Sequence, residues 1–182
     1  QSRSSAASDV YKRQLKDDPE ALHCVGITST GNKAKVEALG LYDDVITYDD
    51  LGALDSSKAT VIVDMSGNGD VLSDLHALLG DNMKFTSNVG LTHYDSNKMG
   101  PHFIRDRSAM FFAPGHIQKR AKEWGPGEFD KKAFQFWHAA ALKSRAWLNI
   151  ENHQGMEALA KVFADVRDSK VKPDTGIIVT PN

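Results

Sequence analysis

Apolar residues in the first half of the chain form short runs that alternate with segments of helical spacing. Leu22–Thr28 is an apolar run rich in β-forming residues, and the polar turn Ser29–Asn32 after it has the composition of a helix start. The next apolar residues have helical spacing up to Gly40, which is placed to end the helix in a left-handed conformation. A second strand is predicted within Leu41–Tyr48. Because a helix joins the two strands, we expect them to lie parallel in one sheet.

The same alternation continues to about residue 112. Further strands are predicted at Thr60–Asp64, Met83–Val89 and Ser108–Phe112, and the first of them has the composition of a strand buried on both faces. Between the first two, Asp70 can cap a helix that runs to Leu79, and Gly80 ends it. Five strands of one pattern, with helices between them, predict an α/β fold with a doubly wound parallel sheet of the Rossmann type.

The second half of the chain has mostly helical periodicity. It predicts helices at Gly115–Trp124, Phe129–Asn149 and Met156–Arg167, and a terminal strand at Gly176–Thr180. The regular spacing of apolar residues in the second of these helices indicates a core face, made of Ala133, Phe136, Trp137, Ala140 and Trp147.

Composition excludes several classes of partner. The 182 residues carry 22 Lys and Arg against 24 Asp and Glu, so no net positive field favours nucleic acid or an anionic membrane. No apolar run reaches the length of a spanning helix, and no leader resembles a signal peptide. Cys24 is the only cysteine, and the seven histidines have no ligand spacing, so we expect no metal site. A cytoplasmic protein is the simplest interpretation.

The first 14 residues stand apart from the rest. They lack periodicity and are rich in small polar residues, so we interpret residues 1–14 as a disordered, non-native leader. Native sequence would then begin near Leu15, inside a gene, and the chain would be a fragment.

The glycines after the third strand invite a phosphate-binding interpretation. Gly67-Asn68-Gly69 resembles the start of a dinucleotide fingerprint, but the third glycine is replaced by Leu72 and Asp70 brings a carboxylate. A pyrophosphate loop is therefore not favoured. The same segment could belong to an S-adenosylmethionine-dependent methyltransferase, but two strands already precede it, which leaves this a minor alternative.

The turn after the first strand suggests a different ligand. An enzyme that uses NAD usually has a carboxylate at this position for the ribose hydroxyls, and that carboxylate is missing from the turn here. Ser29 offers a hydroxyl, Asn32 an amide and Lys33 a cation at a helix start, all suited to the 2′-phosphate of NADP(H). The same residues could equally serve only to cap and solubilise the helix, and both interpretations stay open on these residues alone.

A family resemblance extends the NADP(H) interpretation. Its residues are Val25–Ser29, Gly40–Tyr48, Val63–Asn68, Val89–His93 and Phe111–Pro114. In these segments the chain resembles an uncharacterised bacterial family related to the medium-chain dehydrogenase/reductase superfamily, nearest to its quinone-reductase-like branch, from about Leu15 to the C-terminus.

The resemblance implies an NADP(H) site and assigns residues to it. Ser29 and Lys33 would lie at the 2′-phosphate and Tyr48 near the adenosine, and two loops would follow the rest of the dinucleotide: Met65, Ser66, Gly67 and Asn68, then Val89, Gly90 and Leu91. It also implies that the catalytic domain, the first strand and the glycine-rich turn have no counterpart here. Residues 15–150 would be a partial dinucleotide-binding domain and 151–182 a return to the missing domain. Catalytic residues and substrate stay unassigned.

Two classes of function follow from this resemblance. The first is an NADP(H)-dependent oxidoreductase, of which this chain supplies part of the cofactor site and is inactive alone. The second is a nucleotide-binding or interaction protein that kept the fold without the chemistry. If the first strand is absent, the strands ending at Thr28 and Asp64 should not pair directly with each other.

Overall fold

The protein has an α/β fold in which every paired strand of the described residues runs parallel to its neighbour. The computed structural model describes residues 18–90, 99–168, 170–172 and 174–181. The chain divides into two compact units, the first ending at Gln118 and the second starting at Lys119. Each unit is described by itself.

The first unit opens with a strand–helix–strand segment. Strand β1, Val25–Thr28, pairs in parallel with β2, Asp44–Thr47, and helix α1, Lys33–Ala38, connects them. Gly40 has φ of 61°, which is the left-handed conformation predicted for the helix end. The parallel crossover predicted from the hydrophobic pattern is confirmed.

A second sheet follows in the same unit. Strands β3, Thr60–Asp64, β4, Met83–Asn88, and β5, Ser108–Met110, pair in parallel in that order, and helix α2, Gly69–Leu79, connects the first two. Within the described part of the chain, β1 and β3 share no ladder. The described strands of this unit therefore form two separate parallel groups, which is consistent with a partial Rossmann-like fold.

Most of the buried apolar residues of this unit lie on one face of the second sheet. The side chains of Leu72, Leu75 and Leu79 on α2 are buried, together with Met83 at the start of β4. On the opposite face Val61 is 57% exposed and Val63 56%. The prediction that β3 is buried on both faces is therefore wrong, because α2 covers one face and no described element covers the other.

The second unit contains helices followed by a two-stranded sheet. Helix α3, Ala113–Trp124, crosses the unit boundary, and α4, Glu128–Ser144, follows a turn in which Gly125 and Gly127 have positive φ. Strand β6, Asn149–Gln154, helix α5, Met156–Arg167, and strand β7, Thr175–Thr180, complete it. Strands β6 and β7 pair in parallel over six residues.

Two predictions for this unit are wrong. Helix α4 ends at Ser144 rather than Asn149, and residues 149–154 form a strand, since pairing with β7 overrides a local sequence poor in β-forming residues. The predicted core face of α4 is not buried as a whole either, since two of its five residues are exposed and two are half-buried. Ala140 is buried, but Trp137 is 61% exposed.

Short 3₁₀ turns connect the elements of the first unit, at Thr30–Asn32, Tyr48–Ala53, Gly80–Asn82 and Arg105–Arg107. Among the described helices, none combines the length and the apolar composition needed to cross a bilayer.

Candidate functional site

The carboxyl ends of β1 and β2 lie side by side because of their register. Thr28 is opposite Thr47, so the residues that follow the two strands leave the sheet together. Ser29 follows β1 in an extended conformation, and Tyr48 follows β2 at the start of a 3₁₀ turn. The structure thus brings two of the predicted cofactor residues to one edge of the sheet, where ligands of parallel α/β sheets bind.

The side chains proposed for the 2′-phosphate do not serve as helix caps. Ser29 and Asn32 occupy the cap positions of the 3₁₀ turn and of α1, and within the described structure neither makes a side-chain cap hydrogen bond. Lys33 Nζ lies 3.9 Å from Glu37 Oε1 in an exposed ion pair. Pairs of this kind contribute about 0.5 kcal/mol or less, so Lys33 could turn to a phosphate at little cost. Helix α1 has only six residues, so its dipole adds little.

A carboxylate that the sequence analysis did not assign lies beside this turn. The Thr30 hydroxyl donates a hydrogen bond to Asp49 Oδ2 at 3.1 Å, and both residues are exposed. The strand register would have indicated Asp49, because residues 30 and 49 each lie two positions beyond the last paired residues of β1 and β2. The turn itself lacks an acidic residue, but the neighbouring strand end supplies one.

The loop after β3 is folded around its own aspartate. Asp64 is buried, and its Oδ1 accepts hydrogen bonds from the Ser66 N–H and hydroxyl, each at 2.9 Å. The Gly67 N–H donates to both carboxylate oxygens, at 3.0 and 3.1 Å, and Gly67 has φ of 70°. Asp64 therefore uses its carboxylate to fix the loop.

The start of α2 is capped by Asn68, not by Asp70 as predicted. Asn68 Oδ1 accepts from the backbone N–H groups of Asp70, at 3.2 Å, and Val71, at 3.3 Å, while the Asn68 N–H donates to Ser66 Oγ. Most N–H groups from residue 66 to residue 71 are thus already bonded to side chains of the loop. A phosphate would have to displace these bonds, which adds a physical reason against a pyrophosphate cradle here.

The two predicted dinucleotide loops meet through their backbones. The Asp64 carbonyl accepts from the N–H groups of Val89, at 2.8 Å, and Gly90, at 3.2 Å. A Cβ on Gly90 would come within 2.1 Å of the Met65 carbonyl oxygen, so only glycine fits without moving a loop. Residues 65–68 and 89–90 therefore form one continuous surface, while Leu91 lies outside the described residues.

Tyr48 links the two strand groups electrostatically. Burial raises the pKa of its phenol above the usual value, and the negative charge of Asp64 adds to this effect. The carboxyl ends of β2 and β3 are thus close enough for their side chains to interact. A phenol with a raised pKa stays neutral at neutral pH, so Tyr48 offers a ligand a hydroxyl group and does not act as a base.

Asn88 ends β4 with an unsatisfied acceptor. It pairs with Asp64 across the ladder, and only 7% of the residue is exposed. Among the described residues nothing donates to its Oδ1. Buried polar atoms are rarely left without a partner, so this position favours a donor such as a bound water. Sequence reasoning passed over Asn88 because one polar residue in a strand has no distinctive pattern.

A buried histidine holds the segment after β4 against α2. His76 Nδ1 accepts from the Ile104 N–H at 2.8 Å, so Nε2 carries the proton and faces Thr86 Oγ1 at 2.8 Å. The ring of Phe103 stacks on the imidazole, with 4.8 Å between the two ring centroids. Burial lowers the pKa of His76, and the positive charge of Arg107 lowers it further. His76 and Thr86 are both fully buried, so this cluster supports the loops from behind.

In the part of the chain that the structure describes, His, Cys, Asp and Glu side chains form no group of three or more that could hold a metal ion. The polar residues assembled at the strand ends are hydroxyls, amides, one lysine and carboxylates. These groups can form hydrogen bonds to a polar organic ligand.

Fold and site together define a mixed α/β protein with parallel strands, whose polar loops gather at the carboxyl ends of the strands. A family model described as "Protein of unknown function (DUF2855)" matches residues 2–172, and the chain belongs to this family. No curated protein matches the chain. Membership of an uncharacterised family is thus confirmed, while the relation to medium-chain dehydrogenases/reductases stays a prediction. The matched range includes residues 2–14, whose interpretation as a leader also stays a prediction.

Proposed function

We propose that the first unit contributes part of the NADP(H) site of an oxidoreductase. One observation carries this proposal: β1 and β2 end together, and the side chains of Ser29 and Asn32 at that edge are not used to cap the helix in the described structure. Of the alternative role considered for these residues, to cap and solubilise the helix, the capping part therefore does not explain them. A hydroxyl, an amide and a lysine at this edge of a parallel sheet suit a phosphorylated ribose.

The loops farther along the edge support an extended ligand. Their shared backbone contacts give a fixed surface at the ends of β3 and β4, next to the position of Tyr48. Because the N–H groups of residues 66–71 are mostly occupied, we expect these loops to contact the dinucleotide through their surface and not to grip its pyrophosphate. The substrate and the reacting residues are not part of this proposal.

The test is a calorimetric titration of the protein with NADPH and with NADH. We expect NADPH to bind more tightly, because Lys33 can pair with the extra phosphate. Lys33→Ala should weaken NADPH binding about three- to tenfold and change NADH binding little, as expected for one exposed charge–phosphate contact. Lys35→Ala removes the same charge from the same helix and serves as the matched control.

A second variant tests the hydroxyl. Ser29→Asp places a carboxylate where the 2′-phosphate is proposed to lie, and it should reverse the order of the two affinities. Preference of the unmodified protein for NADH, or equal effects of Lys33→Ala and Lys35→Ala, would contradict the proposal.

A further inference from the structure

A carboxylate lies beside the proposed phosphate-binding turn, Ser29–Asn32, even though the turn itself has no acidic residue. Thr30 and Asp49 each lie two residues beyond the paired residues Thr28 and Thr47, and their side chains meet there. The Thr30 hydroxyl, 3.1 Å from Asp49 Oδ2, holds the carboxylate against the turn that leads from Ser29 into α1.

This carboxylate acts against the features that favour NADP(H). A carboxylate near the ribose accepts hydrogen bonds from the 2′- and 3′-hydroxyls of NAD(H), and it repels a 2′-phosphate. Ser29 and Lys33 favour the phosphate from the other strand end. The edge of the first sheet therefore combines groups of both kinds.

We infer that Asp49, positioned by Thr30, is a specificity-determining residue that limits the preference of this site for NADP(H) over NAD(H). The inference rests on the proposed function. It predicts that the unmodified protein accepts both dinucleotides, with NADPH the tighter ligand by a modest factor, because one carboxylate opposes the three residues that favour the phosphate.

The experiment is a titration of both dinucleotides at low and high salt. Asp49→Asn removes the charge and should tighten NADPH binding about threefold, while NADH binding weakens or stays the same, as expected for one exposed charge. The gain for NADPH should shrink at high salt because the repulsion is screened. Asp50→Asn removes the same charge one residue farther along and is the control, with a smaller change expected.

Thr30→Val tests the positioning role. Without the Thr30 hydroxyl, the Asp49 carboxylate is no longer held beside the turn, so Asp49 should affect the NADPH-to-NADH affinity ratio less. Asp49→Asn should therefore change that ratio less in the Thr30→Val background than in the unmodified protein. A purely structural role of the Thr30–Asp49 bond would lower the melting temperature and leave the ratio unchanged. Asp49→Ser provides a second neutral variant if Asp49→Asn folds poorly.

The outcomes separate the two levels of inference. If both dinucleotides bind and Asp49→Asn leaves their affinity ratio unchanged, the role of Asp49 is refuted while the proposed function stands. If the unmodified protein and the variants all bind neither dinucleotide, the proposed function fails, and the role of Asp49 fails with it.

Discussion

Individual positions in this protein differ sharply in how well their surroundings tolerate a substitution. His76 is buried with both ring nitrogens engaged, and its neutral form is required because Nδ1 accepts from the Ile104 N–H. Gly90 lies against the Met65 carbonyl with no room for a side chain. By contrast, a methyl group added at Gly31 would meet no atom of the described residues within 4 Å. These differences lead to two predictions at the residue scale.

The first concerns pH. Because burial and Arg107 lower the pKa of His76 in the folded protein, the unfolded state binds the proton more readily. The contribution of His76 to the free energy of unfolding is then constant above the pKa of the unfolded state, near 6.5. It falls as the pH drops below that value, by about 1.4 kcal/mol for each pH unit between the pKa of the unfolded state and that of the folded state. Urea unfolding at pH 7.5 and 5.5 measures the fall.

His76→Asn is the matched variant for this prediction, since an amide oxygen can replace Nδ1 as the acceptor without titrating. It should remove most of the pH dependence between 7.5 and 5.5. The pKa values of the exposed carboxyls of Asp55 and Asp168 are lowered by hydrogen bonds to Ser57 and to Arg167, so these groups titrate outside this window. An equal slope in the variant would refute the role of His76.

The second prediction concerns Gly90. A methyl group 2.1 Å from the Met65 carbonyl oxygen must push the two loops apart, so Gly90→Ala should destabilise the protein by about 1–3 kcal/mol. Gly31→Ala has open space and should be neutral or slightly stabilising. Chemical denaturation of the two variants measures the difference, and similar stabilities would contradict the packing of these loops.

At the scale of elements, α2 organises the first unit. Its three buried leucines make up half of the buried apolar residues in the described part of this unit, and Asn68 Oδ1 accepts hydrogen bonds from two N–H groups in the first turn of the helix. The loop between β3 and α2 is closed by Asp64 on one side and by this cap on the other. The helix start is therefore set by two side chains that lie outside the helix itself.

The cap gives a direct prediction. Asn68→Ala should cost about 1 kcal/mol of stability, because two N–H groups lose their acceptor. Asp70→Ala removes only a favourable charge in the first helical turn and should cost less, about 0.5 kcal/mol. Unfolding free energies of the two variants test this order. A larger loss of unfolding free energy for Asp70→Ala would indicate that Asp70 is the cap, as the sequence alone suggested.

At the scale of the whole molecule, each unit has a sheet face with apolar residues in contact with solvent. In the first unit these are Val61, Val63 and Phe85, the last 41% exposed; in the second they include Ile150 and Ile178. Parallel sheets are usually covered on both faces. Exposed apolar patches of this kind bind apolar dyes and promote association.

We therefore expect the folded protein to bind an apolar fluorescent dye while its circular dichroism stays that of an α/β protein. Replacing Val61 and Val63 by Thr should lower dye fluorescence with a change in stability below about 1 kcal/mol, because both side chains already face water. Ile62→Thr, on the covered side of the same strand, is the control and should destabilise the protein more. Unchanged fluorescence in the double variant would argue against this exposed face.

The sequence by itself determined the order and type of most elements. Alternation of apolar runs with helical spacing predicted β1–α1–β2 and β3–α2–β4, and Gly40 and Gly80 ended their helices as predicted, because these features depend on neighbouring residues in the chain. The bounds of α5 were also predicted from its periodicity.

Only the tertiary structure decided features that depend on distant residues. Strand β6 forms because β7 pairs with it, and the exposed face of β3 depends on which elements pack against it. Likewise, Asp49 lies beside Thr30 because of the register between two separate strands. Local pattern sets which element forms, whereas pairing and packing decide which side chains meet, and so which residues make up the candidate site.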